Sequence, residues 1–255
     1  MEVVYLVCFF IIGTVMGSFY NVLGTRIPNH ESIIEPRSHC EKCGHVLHWY
    51  ELIPIFSFIF LKGKCQNCKT KLSWLYLFSE VFCGLLFALS YYSFGISWNL
   101  LITLTISSLM ILVTVSDLNY MIIPDRFIIV SSIIIMLAKI IGNGLHEFLV
   151  SLGYGILAFA FMFGVMKLGS FIFKKEALGG ADVKLMFITG ICVEPFLSLL
   201  VIIIASVIAL PVSLFLLYKE KESIIPFGPF LVVGLLIIMF TKLNSTEIIN
   251  LFLKI

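Results

Sequence analysis

Residues 99–125 read NLLITLTISSLMILVTVSDLNYMIIPD. From 99 to 116 the run carries no charge, and it is long enough to cross a hydrocarbon core, which takes about 17–25 residues. A carboxylate follows at Asp117, and Pro124 then ends one element and lets another begin. Comparable apolar runs lie at 3–24, 75–95, 127–142, 148–173, 195–218 and 224–241, and a shorter one at 182–193 opens near Asp182. A short helix starting on a charge can still cross where it lines a wet cavity walled by protein. The expectation is an all-α integral membrane protein of about eight transmembrane helices, with membrane lipid as its main surroundings. Segment 50–61 is apolar but too short to cross, which predicts an interfacial or re-entrant piece. The run at 3–24 has neither a basic flank before it nor a small-residue cleavage site after it, so it reads as a retained span.

Composition agrees. Of 255 residues, 60% are hydrophobic and 13% charged, against about 45–50% apolar and about 25% charged in a globular domain. A net charge of +2 gives no reason to expect nucleic acid as a partner. The basic residues are unevenly placed. If the loop after the first run is cytoplasmic, it holds Arg26, Arg37, Lys42, Lys62, Lys64, Lys69 and Lys71. Alternating spans then put Arg126, Lys167, Lys174, Lys175, Lys184, Lys219 and Lys221 on the same side, leaving Lys139, Lys242 and Lys254 outside. That asymmetry fixes the orientation by the positive-inside rule, with both chain ends outward.

The aspartates of the chain are Asp117, Asp125 and Asp182. Asp117 and Asp182 stand 65 positions apart, yet the span order returns both to the cytoplasmic side. An ionisable group at a span end costs roughly 2.5–3.5 kcal/mol on insertion scales, so it usually has a task. Two facing carboxylates can share one proton, one acting as base and the other as acid. The plainer alternative is a solvated cap or topology anchor, which Asp125, between Pro124 and Arg126, fits well. Two features favour chemistry for the other two. Asp182 follows Gly179-Gly180-Ala181 and precedes Lys184, with glycines that let an extended strand approach. Asp117 lies six positions before Ile123-Pro124.

Taken together, these residues resemble the type 4 prepilin leader peptidase family of Gly-x-Gly-Asp intramembrane aspartyl proteases. Asp117 with Ile123-Pro124 matches its first motif, and Gly179, Asp182 and Lys184 match the second, with Ala181 where a second glycine is usual. A methyl group is tolerable there if φ is negative. Gly17-Ser18-Phe19-Tyr20-Asn21-Val22, Arg26-Ile27-Pro28, Pro36-Arg37-Ser38-His39-Cys40 and Ile53-Pro54 are similar to the family's opening, as are Tyr76 and Glu80. The resemblance runs from about residue 13 to about residue 195. It implies an aspartyl endopeptidase with Asp117 and Asp182 as the catalytic pair. It also implies prepilin or pseudopilin substrates, cut where a basic leader meets an apolar helix at the cytoplasmic face of the cell membrane.

Cys40-x-x-Cys43 and Cys65-x-x-Cys68 have the spacing of two zinc knuckles. In a reducing compartment disulfides are disfavoured, and four thiolates suit a closed structural zinc site that would pin a loop with little core. Four free thiols are the alternative, and His39, His45 and His48 are nearby substitute ligands. Cys8, Cys83 and Cys192 read as small core residues. The resemblance further implies N-methylation of the new amino terminus from S-adenosylmethionine, with Gly17, Ser18, Asn21, Arg26 and Glu80 as the donor site. Arg26 and Glu80 would clamp a zwitterion, or form a simple ion pair. The expected division is 1–98, methylation-associated, and 99–255, a six-span peptidase core. Competing readings are a proton-coupled transporter using the aspartates, a non-catalytic pilus-assembly scaffold, and a signal-peptide-clearing protease of the same chemistry. Inverted repeats, which the transporter needs, are not visible.

Overall fold

The computed structural model describes residues 1–174, 179–219 and 226–245. Its helices are α1 (Glu2–Arg26), α2 (Phe56–Phe60), α3 (Trp74–Phe94), α4 (Trp98–Tyr120), α5 (Asp125–Phe173), α6 (Gly180–Cys192), α7 (Pro195–Lys219) and α8 (Gly228–Thr241). Among the described residues β-structure is limited to two isolated bridges, His39–Val46 and Lys64–Lys71. Helices α1, α3, α4, α5 and α7 are each long and apolar enough to cross a membrane.

The apolar runs at 127–142 and 148–173 are two limbs of α5, which spans 49 residues. They meet at Gly144, whose φ of 87° and ψ of 176° no helix accommodates. A residue without Cβ takes that conformation at low cost, so the expected loop contracts to a hinge. Helices α6 and α8 have 13 and 14 residues, or about 20 Å at 1.5 Å per residue, short of a core about 30 Å thick. Both are enclosed by neighbouring helices. The run expected at 224–241 is helical from Gly228, and 224–225 lie outside the described residues. Segment 50–61 is a 3₁₀ turn, Trp49–Leu52, followed by α2, with Trp49, Phe56 and Phe60 exposed.

Helix α4 is the hub. It packs against α1, α3, α5 and α8, and Ile106, Leu109, Val113 and Val115 on it are almost wholly enclosed. The outer helices instead present Ile11, Leu85, Ile133, Phe171 and Val207 outward, as a lipid-facing shell requires. Cys83 is buried as expected. Cys8 is not: it is exposed, because the first half of α1 turns most of its surface outward.

Apolar contact alone does not drive helices together in lipid, so close backbone approach must. Two seams supply it. At the first, a Cβ on Gly13 of α1 would lie 2.8 Å from Cys83 O, and one on Gly84 of α3 would lie 2.7 Å from Thr14 Cγ2. At the second, a Cβ on Gly190 of α6 would lie 2.5 Å from Tyr154 O, and one on Gly155 would lie 2.5 Å from Ile191 Cγ2. The second seam sets α6, and with it Asp182, against the second limb of α5. Gly190→Val should therefore cost at least the upper part of the roughly 1–3 kcal/mol range for overpacking. Gly153→Ala, with open space around it, should be nearly neutral. Thermal unfolding of the two variants in detergent measures the difference.

Candidate active site

Helix α4 stops because Met121 adopts a left-handed conformation (φ 54°, ψ 33°) and its N–H donates to the Asp117 carbonyl at 2.9 Å. Ser116 Oγ donates to the Ile122 carbonyl, folding the chain back before Pro124, the N-cap, starts α5. Asp117 is thereby fixed in the last turn of α4 and is 7% exposed. Asp182 lies in the first turn of α6, 8% exposed, with its N–H on the Gly179 carbonyl at 3.1 Å. A carboxylate there is favoured by the free N–H groups and the helix dipole. Helix α8 packs against both α4 and α6, the helices that carry the two carboxylates.

Gly179 and Gly180 do not form a left-handed turn. Gly179 has φ −66° as the N-cap of α6, and it provides clearance: a Cβ on it would lie 3.1 Å from Asp182 Oδ2. Ala181 is helical, so its methyl group causes no backbone strain. Lys184 donates from Nζ to Asp125 Oδ1 at 2.6 Å. The expected capping role of Asp125 is thus replaced, with Pro124 as the cap and Asp125 tying α5 to α6. Both ends of that ion pair are about half exposed, so it is worth under about 1 kcal/mol.

A third helix closes on the site unannounced by the sequence reading. Gly228 begins α8, and a Cβ on it would meet Ile123 Cδ1 at 2.6 Å and Asp117 Oδ2 at 3.2 Å. The signal was present in Pro226-Phe227-Gly228-Pro229, which interrupts an otherwise apolar run.

The Sγ atoms of Cys40, Cys43, Cys65 and Cys68 lie within 4.8 Å of one another. Cys40–Cys68 and Cys43–Cys65 are 3.8 and 3.9 Å apart, close to the edge, about 3.8 Å, of a tetrahedron with metal–sulfur bonds of about 2.3 Å. The two knuckles are near copies. Cys40 N–H donates to His45 O at 2.9 Å, and Cys65 N–H to Thr70 O at 2.9 Å. In each, the residue after the second cysteine, Gly44 or Lys69, has positive φ. The donor set fits a tetrahedral metal ion. Glu51 is buried beside the first knuckle, accepting from His48 N–H at 2.8 Å and facing His45 Nε2 at 3.1 Å. Burial opposes its ionisation, yet the His48 N–H and the His45 ring hold its carboxyl below the usual carboxylate range.

A cavity of about 600 Å³ opens between α1, α3 and the knuckle segment, lined among others by Ser18, Asn21, Arg26, Tyr76, Glu80 and Tyr120. Four of the five residues expected to hold a methyl donor therefore share one space. Gly17 does not line it; a Cβ there would crowd Cys83 Cβ at 2.9 Å, so Gly17 belongs to the α1–α3 seam. Arg26 and Glu80 do not pair. Arg26 Nη1 donates to the Ser32 and Ile33 carbonyls at 3.1 and 3.2 Å, and Glu80 Oε2 accepts from Ile55 N–H at 2.8 Å. Asn21 Oδ1 accepts from Ser79 Oγ at 2.8 Å, while its Nδ2 is buried without a partner. An orphaned donor of that kind costs about 1–3 kcal/mol unless a ligand or water takes it, so the cavity fits a polar acceptor-bearing molecule. Tyr120, one turn beyond Asp117, also forms part of the wall and accepts from Asn29 Nδ2 at 2.9 Å.

Residues 11–94 match the Bacterial Peptidase A24 N-terminal domain, and 104–214 match the Type IV leader peptidase family. The chain belongs to the prepilin leader peptidase/N-methyltransferase family. It is 38% identical over 183 residues to the prepilin leader peptidase/N-methyltransferase of Bacillus subtilis (strain 168), covering 71% of each chain. With that of Vibrio cholerae it shares 32% identity over 258 residues, 94% of this chain and 98% of the relative. The relative from Myxococcus xanthus is 36% identical over 71% of this chain and 54% of its own length. No solved structure matches. Gly228→Ala should push against Ile123 and Asp117 and, with Asp117 as a reacting group, lower the peptidase rate by roughly ten- to a hundredfold, as small misplacements of reacting groups do. Single-turnover kinetics on folded protein, with Gly153→Ala as control, checks this.

Proposed function

We propose that this chain is an aspartyl endopeptidase that removes the basic leader of type 4 prepilins or pseudopilins at the cytoplasmic face of the cell membrane. In this reading it then N-methylates the new amino terminus. Family membership supports the substrate class, the relatives being named for prepilin leader cleavage and N-methylation. One observation carries the assignment of residues: Asp117 and Asp182, from distant parts of the chain, are both buried where α4, α6 and α8 converge. The ionised member takes a proton from water, and the hydroxide so formed attacks the scissile carbonyl carbon. The protonated member then gives its proton to the leaving amide nitrogen as the C–N bond breaks. Gly179 and Gly228 keep side chains clear of the pair, and Pro124 and Lys184 hold the ends of α5 and α6 that flank it.

The proposed topology has eight crossings: α1, α3, α4, the two limbs of α5, α6, α7 and α8. Residues 1–98 form the methylation-associated part and 99–255 the peptidase core. Retention of the basic residues on one side supports placing the 27–73 segment and both aspartates in or at the cytoplasm. Cys40, Cys43, Cys65 and Cys68 would bind zinc, with no position left for water, so its role is structural. Ser18, Asn21, Arg26 and Glu80 would hold S-adenosylmethionine, with Asn21 Nδ2 as the free donor. When bound, that group supplies an activated methyl.

A prepilin co-expressed with Asp117→Asn or Asp182→Asn should keep its leader, whereas Asp125→Asn should still permit cleavage. Gel mobility of the pilin reads the result, and normal processing by both of the first two variants would defeat the proposed pair. Asn21→Ala should leave cleavage within a few-fold of wild type. The mature pilin should then lack the mass of the added methyl group, which intact-protein mass spectrometry resolves.

A further inference from the structure

The knuckle segment contains a second set of metal-type donors that the thiolates do not use. We propose that His45, His48 and Glu51 form a separate site for a divalent first-row transition ion, zinc foremost. Their donor atoms all lie within 4.8 Å of one another. His45 Nε2 and Glu51 Oε2 are 3.1 Å apart, near the separation of about 3.3 Å between two tetrahedral ligands bound at about 2.0–2.1 Å.

Local structure explains the grouping. His48 and Glu51 are three apart at the start of the 3₁₀ turn Trp49–Leu52, and side chains at that spacing eclipse one another. His45 is carried in by the end of the first knuckle. The His48 ring is held by stacking on Tyr50, with centroids 5.5 Å apart.

A His45–Glu51 hydrogen bond alone would account for the 3.1 Å contact, but it leaves an imbalance. Glu51 Oε2 already takes the His48 N–H, while Oε1 is buried with no partner. A buried carboxylate oxygen without a donor or cation is costly, and an ion that sits on the two imidazoles and reaches Oε1 as well as Oε2 removes that cost. Two imidazoles with one carboxylate suit zinc and its neighbours in the first row, not magnesium or calcium. Three protein donors leave one tetrahedral position open, unlike the four thiolates next to it. This site stands independently of the peptidase reading.

The test is metal content of the full-length protein in detergent, equilibrated with excess zinc and dialysed against metal-free buffer. Wild type should retain two zinc ions per chain by elemental mass spectrometry. His48→Ala and Glu51→Gln should each retain one, held by the thiolates, which also reports that the segment is folded. X-ray absorption on the wild type reads the ligands without substitution, and sulfur and nitrogen or oxygen should appear in comparable number. One zinc per wild-type chain, a shell of sulfur only, or two ions persisting in both variants would overturn the proposal. If a variant sheds both ions, the wild-type spectrum decides alone.

Discussion

A carboxylate at the depth of a bilayer must be walled by protein, and the architecture follows from supplying that wall for Asp117. Lipid offers neither hydrogen bonds nor counter-ions, and an isolated ionised carboxylate there is expensive. Helix α4 carries Asp117 at its end and is the most enclosed of the long helices, with neighbours on every side. The walls are completed by α6 and α8, which are too short to span a full core by themselves. Each starts beside one of the carboxylates, α6 at Asp182 and α8 at Asp117, so a helix N-terminus lies next to each.

The means of assembly is equally constrained. With no water to expel between lipid-facing surfaces, helices settle where backbones can touch. Gly13 and Gly84 bring α1 and α3 together, and Gly155 with Gly190 bring α5 and α6 together. The first contact frames the cavity beside Asn21 and Glu80; the second sets the height of Asp182. Small residues thus fix the geometry of polar groups that they never contact.

Much of this was legible in the sequence, and for identifiable reasons. Most of the apolar runs are long, so the helices they form were readable. Two aspartates with distinctive neighbours stood out because the chain has few of them. The pairing of cysteines followed from spacing. What was not readable depends on three-dimensional approach. Gly228 meets Asp117 from more than a hundred positions away, and Asp125 turns to Lys184 and not to its own helix end. Arg26 and Glu80 bind backbone of the intervening segment, not each other. Gly17 looked like a binding residue and is a packing one, since sequence does not tell which face of a helix meets a neighbour. Cys8 failed for the same reason.

The two cysteine knuckles repeat one fold with one difference. After its second cysteine each needs a residue of positive φ; the first has Gly44 there and the second Lys69. A left-handed residue with a Cβ gives up roughly 1–2 kcal/mol. The staple is therefore lopsided, with a relaxed half next to α1 and a sprung half leading into α3. The strain of closing the staple is thus borne at Lys69, on the α3 side, and not at Gly44.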